Sequence, residues 1–173
     1  IKSQEPGISN VFSPKQNLDW SNVVRPRSSS LFSQINTEDG PKQVWTTFGP
    51  DQIDLNWHNP KMTLEFLNLI ITYLSNGIKW FRLDAVGFIW KESGTTCLHL
   101  PKAHSIVKLL RVLLNNLLDE GVLITETNVP QKENLSYLIP DDEAHMAYNF
   151  PLPPLLLEAI ITSRADILNS WIF

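Results

Sequence analysis

Two acidic residues in this sequence, Asp84 and Glu126, each follow a short apolar segment that has the composition of a β-strand. Arg82 precedes Asp84 by two positions, so alternation along the strand places both side chains on one face. Opposite charges on an apolar strand are costly to bury unless they pair or serve a site. Two carboxylates at neighbouring strand ends suit retaining glycosyl transfer, in which a nucleophile and an acid/base lie about 5–5.5 Å apart.

The two carboxylates are expected to have different protonation states. Arg82 would keep Asp84 ionised by charge and hydrogen bonding, as a nucleophile requires. Glu126 follows the apolar segment 122–125, where desolvation could keep it protonated as the acid. The structural alternative is that Arg82 and Asp84 form an ion pair that only stabilises the fold, with Glu126 in solvent. Spacing alone leaves both interpretations open.

The segments around these strands carry helix signals. An Asn-Pro pair opens a predicted helix over residues 60–76, and a second helix is predicted from Pro101 to the glycine at 121. A third strand is predicted over 144–150, followed by a helix over 155–163. This alternation predicts parallel strands with right-handed crossovers. Both acids then lie at the carboxyl ends of their strands, where barrels and open α/β sheets place their chemistry.

Residues 1–50 differ in composition from the rest of the chain. They are rich in Ser, Pro, Asn and Gln, and the best strand candidate among them starts at residue 43 and ends at 48, between Pro41 and Gly49. We interpret residues 1–50 as a loop-rich excursion, with disorder as the alternative. Residues 51–173 form the predicted α/β part.

Composition limits the class of protein. The 173 residues are 43% hydrophobic and 18% charged, which is typical of a globular domain. The net charge of −4, without a basic stripe, argues against nucleic acid as the main partner. Cys97 is the single cysteine, which fits a reducing compartment, and we expect a cytoplasmic protein. The longest apolar helix candidate, 106–118, is too short and too polar to span a membrane. The four histidines show no metal-ligand spacing, so no metal site is expected.

Residues 81–86, with the sequence FRLDAV, resemble the nucleophile strand of the α-amylase superfamily (glycoside hydrolase family 13). Glu126 fits that family's acid/base glutamate, and residues 52–56, QIDLN, resemble a motif that closes the excursion domain in one branch. The segments DAVGF at 84–88 and YNFPLPPLL at 148–156 look like the sucrose-phosphorylase branch. ETNVP at 126–130 is most similar to its glucosylglycerate phosphorylase-like members.

The resemblance implies a partial (β/α)8 TIM barrel, comprising about the fourth to sixth β/α units, preceded by an excursion domain. It implies that Asp84 is the nucleophile and Glu126 the acid/base. Arg82, Phe88 and Asp54 are expected to bind the substrate, although Phe88 could be a core aromatic and Asp54 could cap a loop. The implied partners are a small sugar substrate and inorganic phosphate, and no cofactor is implied.

The expected reaction is retaining α-glucosyl transfer through a covalent glucosyl-enzyme, as phosphorolysis of a small α-glucoside such as sucrose or glucosylglycerate. The alternatives are hydrolysis by an α-glucosidase and an inactive truncated barrel that at most binds sugar. The family's Asp/His motif after its third strand and its His-Asp motif after its seventh have no match in this sequence. We expect both to lie outside the chain, so the chain is expected to be a fragment that is inactive alone.

Overall fold

The structure, a computed structural model, describes residues 10–14, 17–117, 121–139 and 141–172. Its first sheet is an antiparallel hairpin of β1 (Phe32–Thr37) and β2 (Gly40–Trp45). Its second sheet has three parallel strands in the order of the chain: β3 (Trp80–Leu83), β4 (Val122–Thr125) and β5 (Met146–Ala147). The predicted parallel sheet is therefore present, and a separate hairpin precedes it.

Helices precede, connect and follow the strands of the parallel sheet. Helix α1 (Pro60–Ser75) precedes β3, and α2 (Pro101–Leu117) joins β3 to β4. The short helix α3 (Gln131–Leu135) lies between β4 and β5. After β5 come α4 (Leu152–Thr162) and α5 (Asp166–Ile172). The β/α alternation expected from the sequence is confirmed.

Local signals define the ends of α1 as predicted. The side chain of Asn59 accepts a hydrogen bond from the amide of Lys61 at 3.1 Å, with Pro60 at the first helical position. At the other end, the amide of Gly77 donates to the Leu74 carbonyl at 2.9 Å. Gly77 has a φ of +85°, a conformation that glycine adopts without steric cost.

The core lies between the parallel sheet and the helices that pack on it. Phe81 and Leu83 of β3 and Leu123 of β4 are buried on the helix side of the sheet. They form one cluster with residues of α1, α2 and the following loops, namely Ile70, Val86, Ile106, Val107, Leu110, Leu114, Tyr137 and Ala144. This packing fixes the ends of β3 and β4, from which Asp84 and Glu126 project.

Two strands differ from the sequence-based expectation. The strand predicted over 43–48 begins earlier, at Gly40, and ends at Trp45. One more hydrogen bond, from the Thr46 amide to the Leu31 carbonyl at 2.9 Å, extends the pairing, and the chain then bends at Thr47, whose amide donates to the side chain of Asp54 at 2.8 Å. The strand predicted over 144–150 is reduced to Met146–Ala147. Strand β1 and helices α3 and α5 were not individually predicted.

Candidate active site

Asp84 and Glu126 occupy neighbouring positions at the carboxyl edge of the parallel sheet. The last residues of β3 and β4, Leu83 and Thr125, are register partners, and each acid is the next residue along its chain. The amide of Glu126 donates to the Leu83 carbonyl at 3.0 Å, which extends the pairing by one step. The sheet thus brings the two carboxylates together as the sequence predicted.

The guanidinium of Arg82 contacts both carboxylates. One nitrogen, Nη2, lies 3.1 Å from Asp84 Oδ1 and 3.7 Å from Glu126 Oε2. Because both oxygens lie near the same atom, their separation is less than about 7 Å, which is compatible with the retaining geometry of about 5–5.5 Å between carboxyl groups. One guanidinium therefore contacts both carboxyl groups at the point where nucleophile and acid/base are expected.

The two carboxylates differ in exposure. The side chain of Asp84 is 74% exposed and that of Glu126 is 16% exposed. Glu126 nevertheless lies in polar surroundings, because its Oε2 accepts a hydrogen bond from the amide of Ala85 at 3.1 Å and faces Arg82. The sequence predicted an apolar environment for Glu126, because it follows the apolar segment 122–125. That prediction is wrong for the carboxyl group, which has polar contacts.

The amide that contacts Glu126 belongs to a residue with an unusual backbone conformation. Ala85 has a φ of +48°, and a single 3₁₀ turn, Val86–Phe88, follows it. A residue with a Cβ adopts this left-handed conformation at a cost, and such conformations cluster at functional sites. Here the conformation turns the chain away from β3 just after Asp84 and directs the Ala85 amide at the neighbouring carboxylate.

Tyr148 is a site residue that the sequence analysis did not single out. It follows β5 directly, as Asp84 follows β3 and Glu126 follows β4. Its ring centroid lies 5.0 Å from the Arg82 guanidinium carbon, within the range of a cation–π contact. Its position after a strand of the same sheet was the available signal.

A cavity of about 480 Å³ adjoins Asp84 and Arg82. Phe88 lines it and packs edge-on against Phe48, with ring centroids 5.5 Å apart. Asp54 also lines the cavity. The structure thus brings Arg82, Phe88 and Asp54 to one cavity beside Asp84, and their role in binding sugar stays a prediction.

Asp54 has protein partners on both carboxylate oxygens. Oδ1 accepts from the Thr47 amide at 2.8 Å, and Oδ2 accepts from the Thr47 hydroxyl at 2.6 Å and lies 2.6 Å from Lys91 Nζ. These contacts support the loop-capping alternative for Asp54. They leave its carboxylate oriented by the protein before any ligand binds.

Lys91 is a buried cation that the sequence analysis did not single out. Its side chain is 1% exposed, and Nζ also donates to the Phe88 carbonyl and to the Thr47 hydroxyl. Burial lowers the pKa of Lys91, and the attraction of Asp54 opposes that shift. The ion pair joins the segment that follows β2 to the loop that follows Asp84.

Other chemically active side chains of the described residues are in structural positions. Cys97 is buried and free. No group of three His, Cys, Asp or Glu side chains in residues 10–14, 17–117, 121–139 and 141–172 is arranged to hold a metal ion. None of the helices in these same ranges has the length and hydrophobicity that crossing a lipid bilayer requires.

Comparison with known proteins identifies the family. Residues 33–167 match the family model of the α-amylase catalytic domain. The chain is 45% identical to the glucosylglycerate phosphorylase of Escherichia coli (strain K12) over 171 residues, which are 97% of this chain and 31% of that protein. It is 49% identical to the glucosylglycerate phosphorylase of Allomeiothermus silvanus over 154 residues, which are 88% of this chain and 28% of that protein. The chain therefore spans less than a third of the length of these relatives.

A solved structure agrees on the fold. The crystal structure of sucrose 6F-phosphate phosphorylase from Thermoanaerobacter thermosaccharolyticum superimposes with a TM-score of 0.75 at 24% sequence identity, covering 88% of this chain and 31% of that one. The parallel β/α order, the paired acids at the strand ends and the match over 33–167 agree with one another. The chain belongs to the α-amylase family, and its parallel sheet with the surrounding helices is part of that family's TIM-barrel catalytic domain.

Proposed function

We propose that this chain supplies the nucleophile and the acid/base of a retaining glycoside phosphorylase, and that the whole protein transfers glucosyl units from a small α-glucoside to phosphate. The observation that supports this proposal most directly is the position of Arg82 Nη2, which lies within 4 Å of a carboxylate oxygen of Asp84 and of Glu126. The choice of phosphorolysis over hydrolysis rests on the identity of 45% and 49% to two glucosylglycerate phosphorylases.

In the proposed first step, a carboxylate oxygen of Asp84 attacks the anomeric carbon of the donor. The bond from that carbon to the leaving oxygen breaks as Glu126 gives its proton to that oxygen, and a glucosyl ester of Asp84 forms. In the second step, a phosphate oxygen attacks the same carbon and the ester breaks. The proton that phosphate loses returns to Glu126, so both carboxyl groups recover their starting states.

Arg82 serves both steps in this proposal. At 3.1 Å from Asp84 Oδ1 its positive charge faces the nucleophile in the first step, and at 3.7 Å from Glu126 Oε2 it faces the acid/base after that residue has given up its proton. The long side chain reaches both groups from the same strand that carries Asp84. Loss of Arg82 would leave two neighbouring carboxylates without a shared cation.

We also propose roles for the residues around Asp84 and Glu126. Phe88 and Asp54 line the cavity beside Asp84, and we assign both to sugar binding, Asp54 through a carboxylate that Thr47 and Lys91 already hold in place. Residues 1–50 form the excursion domain and 51–173 the barrel part. The protein acts in the cytoplasm on a small sugar and inorganic phosphate, without nucleic acid or membrane partners.

A segment exchange tests the proposed function. In what we call the exchange protein, residues 1–173 of this chain replace the matching segment of the Escherichia coli glucosylglycerate phosphorylase. We expect glucose 1-phosphate to form from glucosylglycerate and phosphate, and to form faster than water releases glucose. An Asp84→Ala exchange protein is the control and should lose this activity. Turnover that does not respond to phosphate would contradict the phosphorylase assignment and favour the α-glucosidase alternative.

A further inference from the structure

We propose that Tyr148 is a positioning residue for glucosyl transfer, whose ring holds the Arg82 guanidinium between Asp84 and Glu126. The inference rests on the proposed function and adds to it a residue that acts through Arg82 and makes no hydrogen bond to either carboxylate. Its geometric basis is the distance of 5.0 Å from the guanidinium carbon to the Tyr148 ring centroid.

The ion pairs of Arg82 are too exposed to fix its side chain in one position by themselves. Its side chain is 41% exposed and its closer partner, Asp84, is 74% exposed. Exposed ion pairs contribute about 0–1 kcal/mol, because water competes and a long side chain loses freedom when it is held. A ring packed against the planar guanidinium removes water from one face and adds cation–π attraction.

Two hydrogen bonds hold the backbone of Tyr148 in place. Its amide donates to the carbonyl of Thr125, the residue before Glu126, at 2.9 Å. Its carbonyl accepts from the side chain of Asn134 at 2.7 Å, and Asn134 is buried. The ring thus projects from a fixed point on the same sheet edge that carries both acids. The Tyr148 ring and the Glu126 carboxyl group are therefore both positioned by Thr125, the last residue of β4.

This arrangement predicts which kinetic quantity depends on the ring. In the described residues, the charged groups in contact with the Arg82 guanidinium are Asp84 and Glu126. A guanidinium that moves away no longer orients the two carboxyl groups toward the reacting atoms, so the rate of the chemical steps falls. Because the ring acts through Arg82, its loss should lower kcat and leave the KM for the donor nearly unchanged.

The test uses three variants of the exchange protein. Tyr148→Leu removes the aromatic ring, Tyr148→Phe keeps it without the hydroxyl, and Tyr73→Leu removes a comparably exposed tyrosine from α1 as a control. We expect Tyr148→Leu to lower kcat by about tenfold with little change in KM. Tyr148→Phe should restore kcat, and Tyr73→Leu should leave kcat unchanged.

Two results would overturn the inference. A raised KM with an unchanged kcat in Tyr148→Leu would mean that Tyr148 contacts the sugar. A Phe variant that behaves like the Leu variant would assign the effect to the hydroxyl.

Crystal structures of the two Tyr148 variants test the same inference independently of activity. Arg82 should leave the two acids in the Leu variant only, and an unmoved Arg82 in that variant would contradict the inference even if the proposed reaction were wrong.

Discussion

Gly87, three residues after Asp84, packs against His99 more closely than any side chain would permit. A Cβ at this position would lie 2.6 Å from His99 Cε1 and 2.9 Å from its Nδ1. The His99 ring cannot easily retreat, because its Nδ1 bonds to the Tyr137 hydroxyl at 2.8 Å and its amide bonds to the Gly87 carbonyl at 2.8 Å. Burial lowers the pKa of His99, so the ring packs in its neutral form.

We therefore predict that Gly87→Ala displaces the 3₁₀ turn that follows Asp84. The substitution should destabilise the exchange protein by about 1–3 kcal/mol and lower kcat, since the turn directs the Ala85 amide to Glu126. Denaturant unfolding and steady-state kinetics give the two quantities.

The double variant Gly87→Ala/His99→Ala is the control for this contact. It should lose less stability than the sum of the two single variants, because the smaller side chain at 99 makes room for the new methyl group. Purely additive losses would show that the contact with His99 is not the cause.

The sequence predicts those site residues whose positions are determined by a single strand. The spacing of Arg82 and Asp84, and the place of Glu126 after its strand, follow from alternation and from the rule that sites lie at carboxyl strand ends. The contacts that Tyr148 and Gly87 make could not be predicted in the same way. The roles of both residues depend on contacts with residues far away in the sequence, namely Arg82 and His99.

At the scale of the elements, the Lys91–Asp54 pair connects the hairpin region to the turn at the carboxyl edge of the parallel sheet. Asp54 binds the backbone and hydroxyl of Thr47, two residues after β2. Lys91 binds the Phe88 carbonyl in the turn that follows Asp84. The pair is largely removed from water, so the loss of one partner leaves the other partner's charge without compensation.

We predict that Lys91→Met destabilises the exchange protein by about 3–5 kcal/mol, because Asp54 then keeps a buried charge without its cation. The double variant Lys91→Met/Asp54→Asn should be more stable than Lys91→Met alone, since it removes the orphaned charge. Denaturant titration of the single and double variants measures both differences. A double variant less stable than Lys91→Met would contradict the assignment of the loss to an unpaired Asp54.

The sequence also predicts elements best where local signals define them. Helix α1 has its N-cap, its proline and its terminal glycine in the sequence, and its bounds follow from them. Strand β5 is shorter than its sequence suggests. The Tyr148 amide does continue the hydrogen bonding to β4, but the segment then turns and the Asn149 side chain accepts from the Leu152 amide to begin α4. That change of direction depends on tertiary packing and local capping rather than on β propensity.

At the scale of the whole molecule, α4 presents an apolar surface that nothing in the described residues covers. Ile160 and Ile161 are 74% and 72% exposed, and Leu157 is 58% exposed. An apolar surface of this kind on one helix face favours association.

We predict that the isolated chain self-associates through α4. Sedimentation velocity should show concentration-dependent oligomers, and the double variant Ile160→Glu/Ile161→Lys should reduce them, because it replaces the apolar surface without changing net charge. Glu158→Gln on the same helix is the control and should leave the association unchanged. A monomeric isolated chain at all concentrations would contradict this prediction.

The central claim is that Asp84 forms the covalent glucosyl ester. The most direct test is to trap that ester in the Glu126→Gln variant of the exchange protein. An activated donor such as glucosyl fluoride needs little protonation of its leaving group, so it should load Asp84 although the acid is missing. Breakdown of the ester should be slow enough for the glucosyl-enzyme to accumulate.

Mass spectrometry of the denatured, digested protein then locates the sugar. We predict one added glucosyl unit on the peptide that contains Asp84, and none when Asp84→Ala is combined with Glu126→Gln. A label on a peptide that contains another carboxylate, or a label that persists in the Asp84→Ala combination, would contradict the assignment of Asp84 as nucleophile.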